Sequence, residues 1–394
     1  MTLPLQSELI PLPLQSELVL GETEQFLLAA GTWVAAGRIP SGLKAERRSL
    51  ESHSFRHLLA LRAVEEKMLP MLFAFLRDQG WLEFEEVALL DEFFCVSERL
   101  LYRSMDSVLA DLTQSGVPFL VLKGADIASR AYPSHPEMPR IMRDLDILVM
   151  PTDVSRAKQI LEFHGFRQGH ADRTTLTVSP FSSAELAAFE RLDHYQLTPF
   201  HKFLEVPEPI MGLQRTAKYR NPYQYFTTCV RDKVYVRVEW DLHFNMSRGI
   251  DLQDLWARTD EITLKWIGRK VFGQSLSDLI WILSSRLYHE VFQSGAVLRQ
   301  FVDLLALINC HHRQIDWARV LEGAKKYELR PSLYYVFVHL NEFLETKIPQ
   351  EVIDACYPLR SEVRRDHDWG DFMPRLLRSL VVTPVVLRKS LGEH

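Results

Sequence analysis

The chain has 394 residues, 47% of them hydrophobic, which is enough for a large core and more than one domain. Lysine and arginine together number 46 and aspartate and glutamate 51, and the resulting net charge of -5 argues against a general nucleic-acid-coating role while leaving room for a local basic groove. Cys95, Cys229, Cys310 and Cys356 lie far apart without metal-ligand spacing, so they read as reduced, mostly buried thiols of a cytosolic protein.

The chain opens with a short duplication, LPLQSEL at 3–9 and again at 12–18, read as a tail over 1–20 without function of its own. Residues 1–20 contain no Lys or Arg, so no secretory signal is expected. The late apolar run LVVTPVVL at 380–387 is too short to span a bilayer and contains Pro384. The expectation is a soluble, cytoplasmic protein with no membrane partner.

A helical region is expected over 21–115. SFRHLLALRAVEEKMLPMLFAFLRDQG reads as one amphipathic helix ended by Gly80. Phe93, Val96 and Leu100, then Leu101, Met105, Val108 and Leu112, carry helical spacing onward to a close at Gly116.

A mixed α/β core is expected over 116–270. VPFLVLKG at 117–124 reads as a buried strand, ADIASRAY as a short helix, and 133–139 as a Pro-rich loop. DLDILVM is a second strand, followed by the amphipathic helix DVSRAKQILEFHGF with Gly165 near its end. A short helix near 183–191 precedes strands at 194–200 and 233–246, and the turn-rich, aromatic stretch 201–232 reads as a wall beside a site. A second helical region, 271–394, contains four candidate helices between 275 and 345.

The chemistry begins at the second strand. Side chains alternate along a strand, so Asp144 and Asp146 share a face. Two bare carboxylates this close raise each other's pKa, and a divalent cation such as magnesium would relieve them. In VEWDLHF, Glu239, Asp241 and His243 likewise share a face. If the two strands pair, a third carboxylate joins, and three can hold two metal ions about 4 Å apart for phosphoryl or nucleotidyl transfer. Lys123 and Gly124, at a strand end before a helix, suit a phosphate group. Arg140 and Arg143 could fork onto its oxygens.

The run from 116 to 166, GVPFLVLKGADIASRAYPSHPEMPRIMRDLDILVMPTDVSRAKQILEFHGF, resembles the uncharacterised bacterial nucleotidyltransferases of the DNA polymerase β-like superfamily. The shared features are Lys123-Gly124, Tyr132-Pro133, Arg140 before Asp144 and Asp146, and Gly165-Phe166. Asp241, Leu242, His243 and Phe244 follow the later strand, with Phe in place of Trp. The resemblance extends over roughly 55–350.

It implies an α+β fold: a polymerase-β-like nucleotidyltransferase core, a small mixed sheet with helices, flanked by N- and C-terminal helical regions. It implies Asp144, Asp146 and Asp241 as catalytic metal ligands for two Mg2+ ions, with Mn2+ as a substitute, and Lys123, Gly124, Arg140 and Arg143 as nucleotide contacts. Glu239 and His243 are auxiliary, and Glu239 competes with Asp241 as the third carboxylate. The superfamily's usual Gly-Ser turn at the phosphate is replaced by Lys-Gly.

The implied reaction moves a nucleoside monophosphate from a triphosphate, ATP being the expected donor, to an unidentified small molecule, peptide intermediate or protein. Pyrophosphate is released, and nucleic acid is not an expected acceptor. The alternatives are a degenerate nucleotide- or peptide-binding module, or a metal-dependent glycosyltransferase that also uses Asp-x-Asp.

Overall fold

A computed structural model describes residues 21–81, 85–132, 139–140, 142, 144–192, 195–206, 227–231, 233–246, 250–293 and 297–357. The N-terminal duplication, Pro133, Arg143, most of the Pro-rich loop, the middle of the 201–232 stretch and the run at 380–387 lie outside these residues. The chain divides into two compact units, 1–79 with 276–394, and 80–275.

The first unit begins with α1 (Glu22–Ala36), α2 (His53–Glu65) and α3 (Leu69–Asp78). The single helix expected over 54–80 is therefore two. Pro70 explains the break, because a proline inside a helix removes a hydrogen bond and clashes with the preceding turn, whereas here it sits in the first turn of α3. Lys67, at φ 54°, turns the chain between the two helices.

The rest of this unit is helical: α9 (Leu276–Gln293), α10 (Val297–His311), α11 (Trp317–Lys326), α12 (Arg330–Leu344) and α13 (Gln350–Ala355). The four helices expected between 275 and 345 are all present. Gly31 lets α1 approach α10 closely, since a Cβ there would lie 2.6 Å from Val302 Cγ2. Buried Glu66 caps α10 by accepting from the Leu298 amide at 2.9 Å and is ion-paired to Arg62 at 2.9 Å. Burial raises its pKa, and Arg62 opposes that shift.

The second unit contains α4 (Glu85–Gln114), α5 (Lys123–Ala131), α6 (Val154–Phe163), α7 (Ser183–Leu192) and α8 (Leu252–Trp256). Its strands are β1 (Phe119–Val121), β2 (Asp144–Val149), β3 (Arg167–Gln168), β4 (His170–Asp172), β5 (Thr177–Ser179), β6 (Phe200–Glu205), β7 (Thr227–Val230), β8 (Lys233–His243), β9 (Thr259–Leu264) and β10 (Arg269–Gln274). Eight strands form one mixed sheet in the order β3-β6-β8-β2-β1-β10-β9, with β7 pairing to the start of β8; β4 and β5 make a separate hairpin. The β2–β8 and β1–β10 pairs are parallel. This is the α+β architecture expected, a mixed-sheet core with helical regions in the chain on either side.

Period-two alternation produces the sheet's two faces. Val236, Val238, Trp240 and Leu242 of β8 are buried, as are Leu145, Ile147 and Val149 of β2. All but Val236 pack with Leu101, Met105, Val108 and Leu112 of α4 and Leu161 of α6 in one core. The other face carries the polar residues between them, with Leu148 in a small separate apolar cluster beside Leu120 and Leu122.

Two strand expectations change. Among the described residues 195–199 of the segment expected as a strand, Gln196 forms an isolated bridge with His243, and the strand starts at Phe200. Pro199 has no N–H to offer a ladder, so regular pairing begins after it. The β9–β10 hairpin carries the sheet to Gln274, beyond the point where helix is expected to resume. Among the described residues no helix is long and apolar enough to cross a membrane.

Candidate active site

The polar face is organised by the parallel pairing of β2 with β8. In register, Asp144 lies opposite Glu239, Asp146 opposite Asp241, and Leu148 opposite His243. Asp144 begins β2 and is exposed, while Asp146 is only 4% exposed. Ligand atoms of Asp146, Asp241 and His243 lie within 4.8 Å of one another, a group able to hold a metal ion.

The carboxylates of this cluster disfavour each other's charged form. Burial pushes the Asp241 carboxyl up to about 8, and the negative charges of Asp146 and Asp144 push in the same direction. Its Oδ1 is buried without a hydrogen-bond partner. An orphaned carboxylate oxygen beside a second carboxylate fits a hard cation.

Lys123 supplies the positive charge. It is the first residue of α5 and takes the left-handed backbone, φ 46°, which a residue with a side chain rarely adopts. The preceding residue, Leu122, ties this turn to β2 through its amide, which donates to the Asp146 carbonyl at 2.9 Å. The Lys123 ammonium is ion-paired with Asp146 Oδ1 and lies 3.3 Å from His243 Nε2. His243 Nε2 is itself 2.9 Å from Asp146 Oδ1, and Tyr195 stacks on the ring with centroids 6.0 Å apart.

Gly124 follows on α5. A Cβ there would meet Arg140 Nη1 at 2.8 Å, so the absence of a side chain lets the guanidinium lie against the start of the helix. Arg140 is 5% exposed, within reach of that helix start but not on the open surface.

Glu239 stands apart from the metal-capable group. It is ion-paired with Arg237, and His201 Nδ1 approaches its Oε1 at 3.9 Å. Burial, aided by the Arg237 charge, lowers the His201 pKa to about 4, so this imidazole is neutral near pH 7.

Two features have weak sequence signals. Asp126 and Arg130 of α5 form a buried i,i+4 pair at 2.6 Å. Asp126 Oδ2 also accepts from the Gln274 amide at 3.1 Å, and Arg130 reaches Asp260 at 2.6 Å, so the helix bearing Lys123 is locked to β9 and β10. The i,i+4 spacing is visible in the sequence, but the partners on β9 and β10 are not. A cavity of about 500 Å³, lined by Leu120, Trp256, Val271 and Phe272 among others, contains none of the clustered carboxylates.

Residues 54–345 match the model of a family described as an uncharacterised nucleotidyltransferase. The chain belongs to this nucleotidyltransferase family. The matched span contains β1, α5, β2 and β8, and with them Lys123 and the whole Asp146, Asp241 and His243 group. Comparison with curated proteins returns no match.

Proposed function

We propose that this family member is a divalent-cation-dependent nucleotidyltransferase that moves a nucleoside monophosphate from a nucleoside triphosphate, ATP first among them, to an acceptor nucleophile. The reading takes the reaction to be cytoplasmic and the acceptor to be a small molecule, a peptide intermediate or a protein. One observation carries it: in-register strands bring Asp146 and Asp241 together at a site where one carboxylate oxygen is buried and unpartnered.

Asp146 and Asp241 would hold magnesium, with Asp144 at the open edge of the site and His243 contributing nitrogen. Manganese, which accepts imidazole, is the natural substitute. When bound, the metal supplies Lewis-acid stabilisation of charge on the transferring phosphoryl group. In the transfer, the bond from the α-phosphorus to the β-phosphate oxygen breaks, a bond to the acceptor oxygen or nitrogen forms, and pyrophosphate leaves.

The chain's own residues have separable tasks. Asp241, deprotonated once a metal is bound, would also be placed to help take the acceptor's proton. Lys123 and the first amides of α5 suit the departing phosphates, with Arg140 behind them. Glu239, already engaged by Arg237, suits a role in shaping the site's edge.

The test is transfer of label from α-labelled triphosphate to an acceptor in cell extract, with Asp146→Asn plus Asp241→Asn as the control. Loss of transfer in the double variant, with an unchanged far-UV spectrum, supports the reading. The alternative, a nucleotide-holding module without chemistry, draws on the Lys123–Asp146 ion pair, which already neutralises one carboxylate. Tight ATP binding with no pyrophosphate formed would favour it.

A further inference from the structure

We propose that Lys123 is a resident counter-cation, displaced from the carboxylate cluster when a divalent ion binds and transferred to the phosphates of the nucleotide. The inference rests on the nucleotidyl-transfer reading of the site and adds to it an exchange of cations.

The ammonium contacts two of the three groups of the cluster. It is ion-paired with Asp146 Oδ1 and is 3.3 Å from His243 Nε2. Those two groups, with Asp241, are the ones whose ligand atoms converge within 4.8 Å. An ammonium can donate and cannot accept, so it bonds His243 only in the tautomer that leaves Nε2 as the acceptor. His243 Nε2 also lies 2.9 Å from Asp146 Oδ1, a distance at which the Nε2–H tautomer donates to the carboxylate; with the proton on Nδ1 instead, both atoms accept from the ammonium. A metal would ask the same of both atoms.

A divalent ion and an ammonium repel when they share one carboxylate, so occupancy by one expels the other. The geometry determines which group can move. Asp146 and His243 have side chains 4% and 3% exposed, held in strands, whereas the Lys123 side chain is 27% exposed. Lys123 is also the first residue of α5, where backbone amides favour an anion, so a displaced ammonium stays beside any phosphate bound there. From this left-handed position its side chain reaches Asp146 of β2.

The exchange is tested on the full chain by Mn2+ binding without nucleotide, read from the free-ion electron paramagnetic resonance signal. Lys123→Met removes the competing charge with little change of shape and is expected to tighten Mn2+ binding about tenfold or more, the scale on which one adjacent charge acts. Lys123→Arg keeps the charge and is expected to gain nothing. Mn2+ binding by Lys123→Met no tighter than wild type, or an equal gain in Lys123→Arg, overturns the proposal.

A second measurement uses the unaltered protein. Acetylation of Lys123, followed by mass spectrometry, should speed up several-fold when Mg2+ is added and slow again with Mg2+ plus a non-hydrolysable ATP analogue. A rate unmoved or lowered by Mg2+ alone also overturns the exchange. Asp146→Asn separates the two levels. If it abolishes Mn2+ binding while Lys123→Met shows no gain, only the exchange fails; if it leaves Mn2+ binding intact, the site assignment fails as well.

Discussion

Asp146 stands directly opposite Asp241 across the parallel β2–β8 pair, with Leu145 and Trp240 opposite each other on the buried side. One register thus sets both the polar cluster and the core beneath it. A slip of one residue would turn the carboxylates into the core, so the packing of Trp240 and Leu145 is also what holds the two acids together.

This coupling can be measured at Trp240, which is fully buried against Phe166 at 6.1 Å between ring centroids. Trp240→Ala removes a large side chain from beneath the site and is expected to cost about 3–5 kcal/mol. Denaturant unfolding of the full chain checks the value. A loss under about 1 kcal/mol would mean that the core collapses around the cavity and does not hold the register.

The two candidates for the third carboxylate give opposite outcomes. Asp241→Asn is expected to lower transfer by roughly 10²–10³-fold, the scale seen when a group stabilising transition-state charge is lost. Glu239→Gln, which disturbs the ion pair with Arg237, is expected to stay within about tenfold of wild type and to affect mainly the acceptor KM. The reverse order in steady-state kinetics would reassign the role.

The pH dependence follows from the raised Asp241 pKa. At neutral pH its carboxyl, held up to about 8 by burial and by Asp146 and Asp144, retains a proton that an incoming cation must displace. Divalent-ion affinity therefore rises with pH below that value, by up to roughly tenfold per unit, and levels off above it. In the metal-free protein the sign for stability is opposite. The folded state keeps a proton that the unfolded chain gives up, so this group's contribution declines as pH rises from the ordinary carboxylate range to about 8. Calorimetry of Mg2+ binding in two buffers of different ionisation enthalpy should show proton release near pH 7, and none in Asp241→Asn.

The strand β10 approaches α5 through Gly273, where a Cβ would come within 2.7 Å of Asp126 Oδ2 and 3.0 Å of Arg130 Nη2. Both partners are buried, at 0% and 8% exposure, and cannot retreat into solvent. Gly273→Ala is expected to cost about 1–3 kcal/mol by overpacking, seen as a lower denaturation midpoint. An unchanged midpoint would show that the Asp126–Arg130 lock yields readily.

Much of the site is legible in the sequence because strands alternate with period two. Asp-Leu-Asp and Glu-Trp-Asp-Leu-His each announce a polar face and an apolar face without reference to the rest of the chain. The pairing between them is not legible: Asp146 meets Asp241 through a contact between strands distant in sequence, and only the assembled sheet chooses that register over Asp144 opposite Asp241. The Lys123 ion pair is hidden for a similar reason, because its direction depends on a left-handed backbone that lysine does not advertise.

Other departures from expectation have signals in the chain. Pro70 marks the break between α2 and α3, and Pro199 marks why pairing starts at Phe200. Residues 259–274 alternate on either side of a turn closed by Gly268 at φ 66°, the pattern of the β9–β10 hairpin. Arg143, counted among the phosphate contacts on sequence grounds, lies outside the described residues.

The central claim is tested most directly by following one phosphorus atom. Each of the four nucleoside triphosphates, labelled in turn at the α- and γ-phosphate, is incubated with the protein, Mg2+ and cell extract. The account expects α-label on an acceptor, γ-label only in pyrophosphate, and neither change with Asp146→Asn plus Asp241→Asn. Label reaching the acceptor from the γ-position alone, or undiminished α-transfer by the double variant, would contradict it.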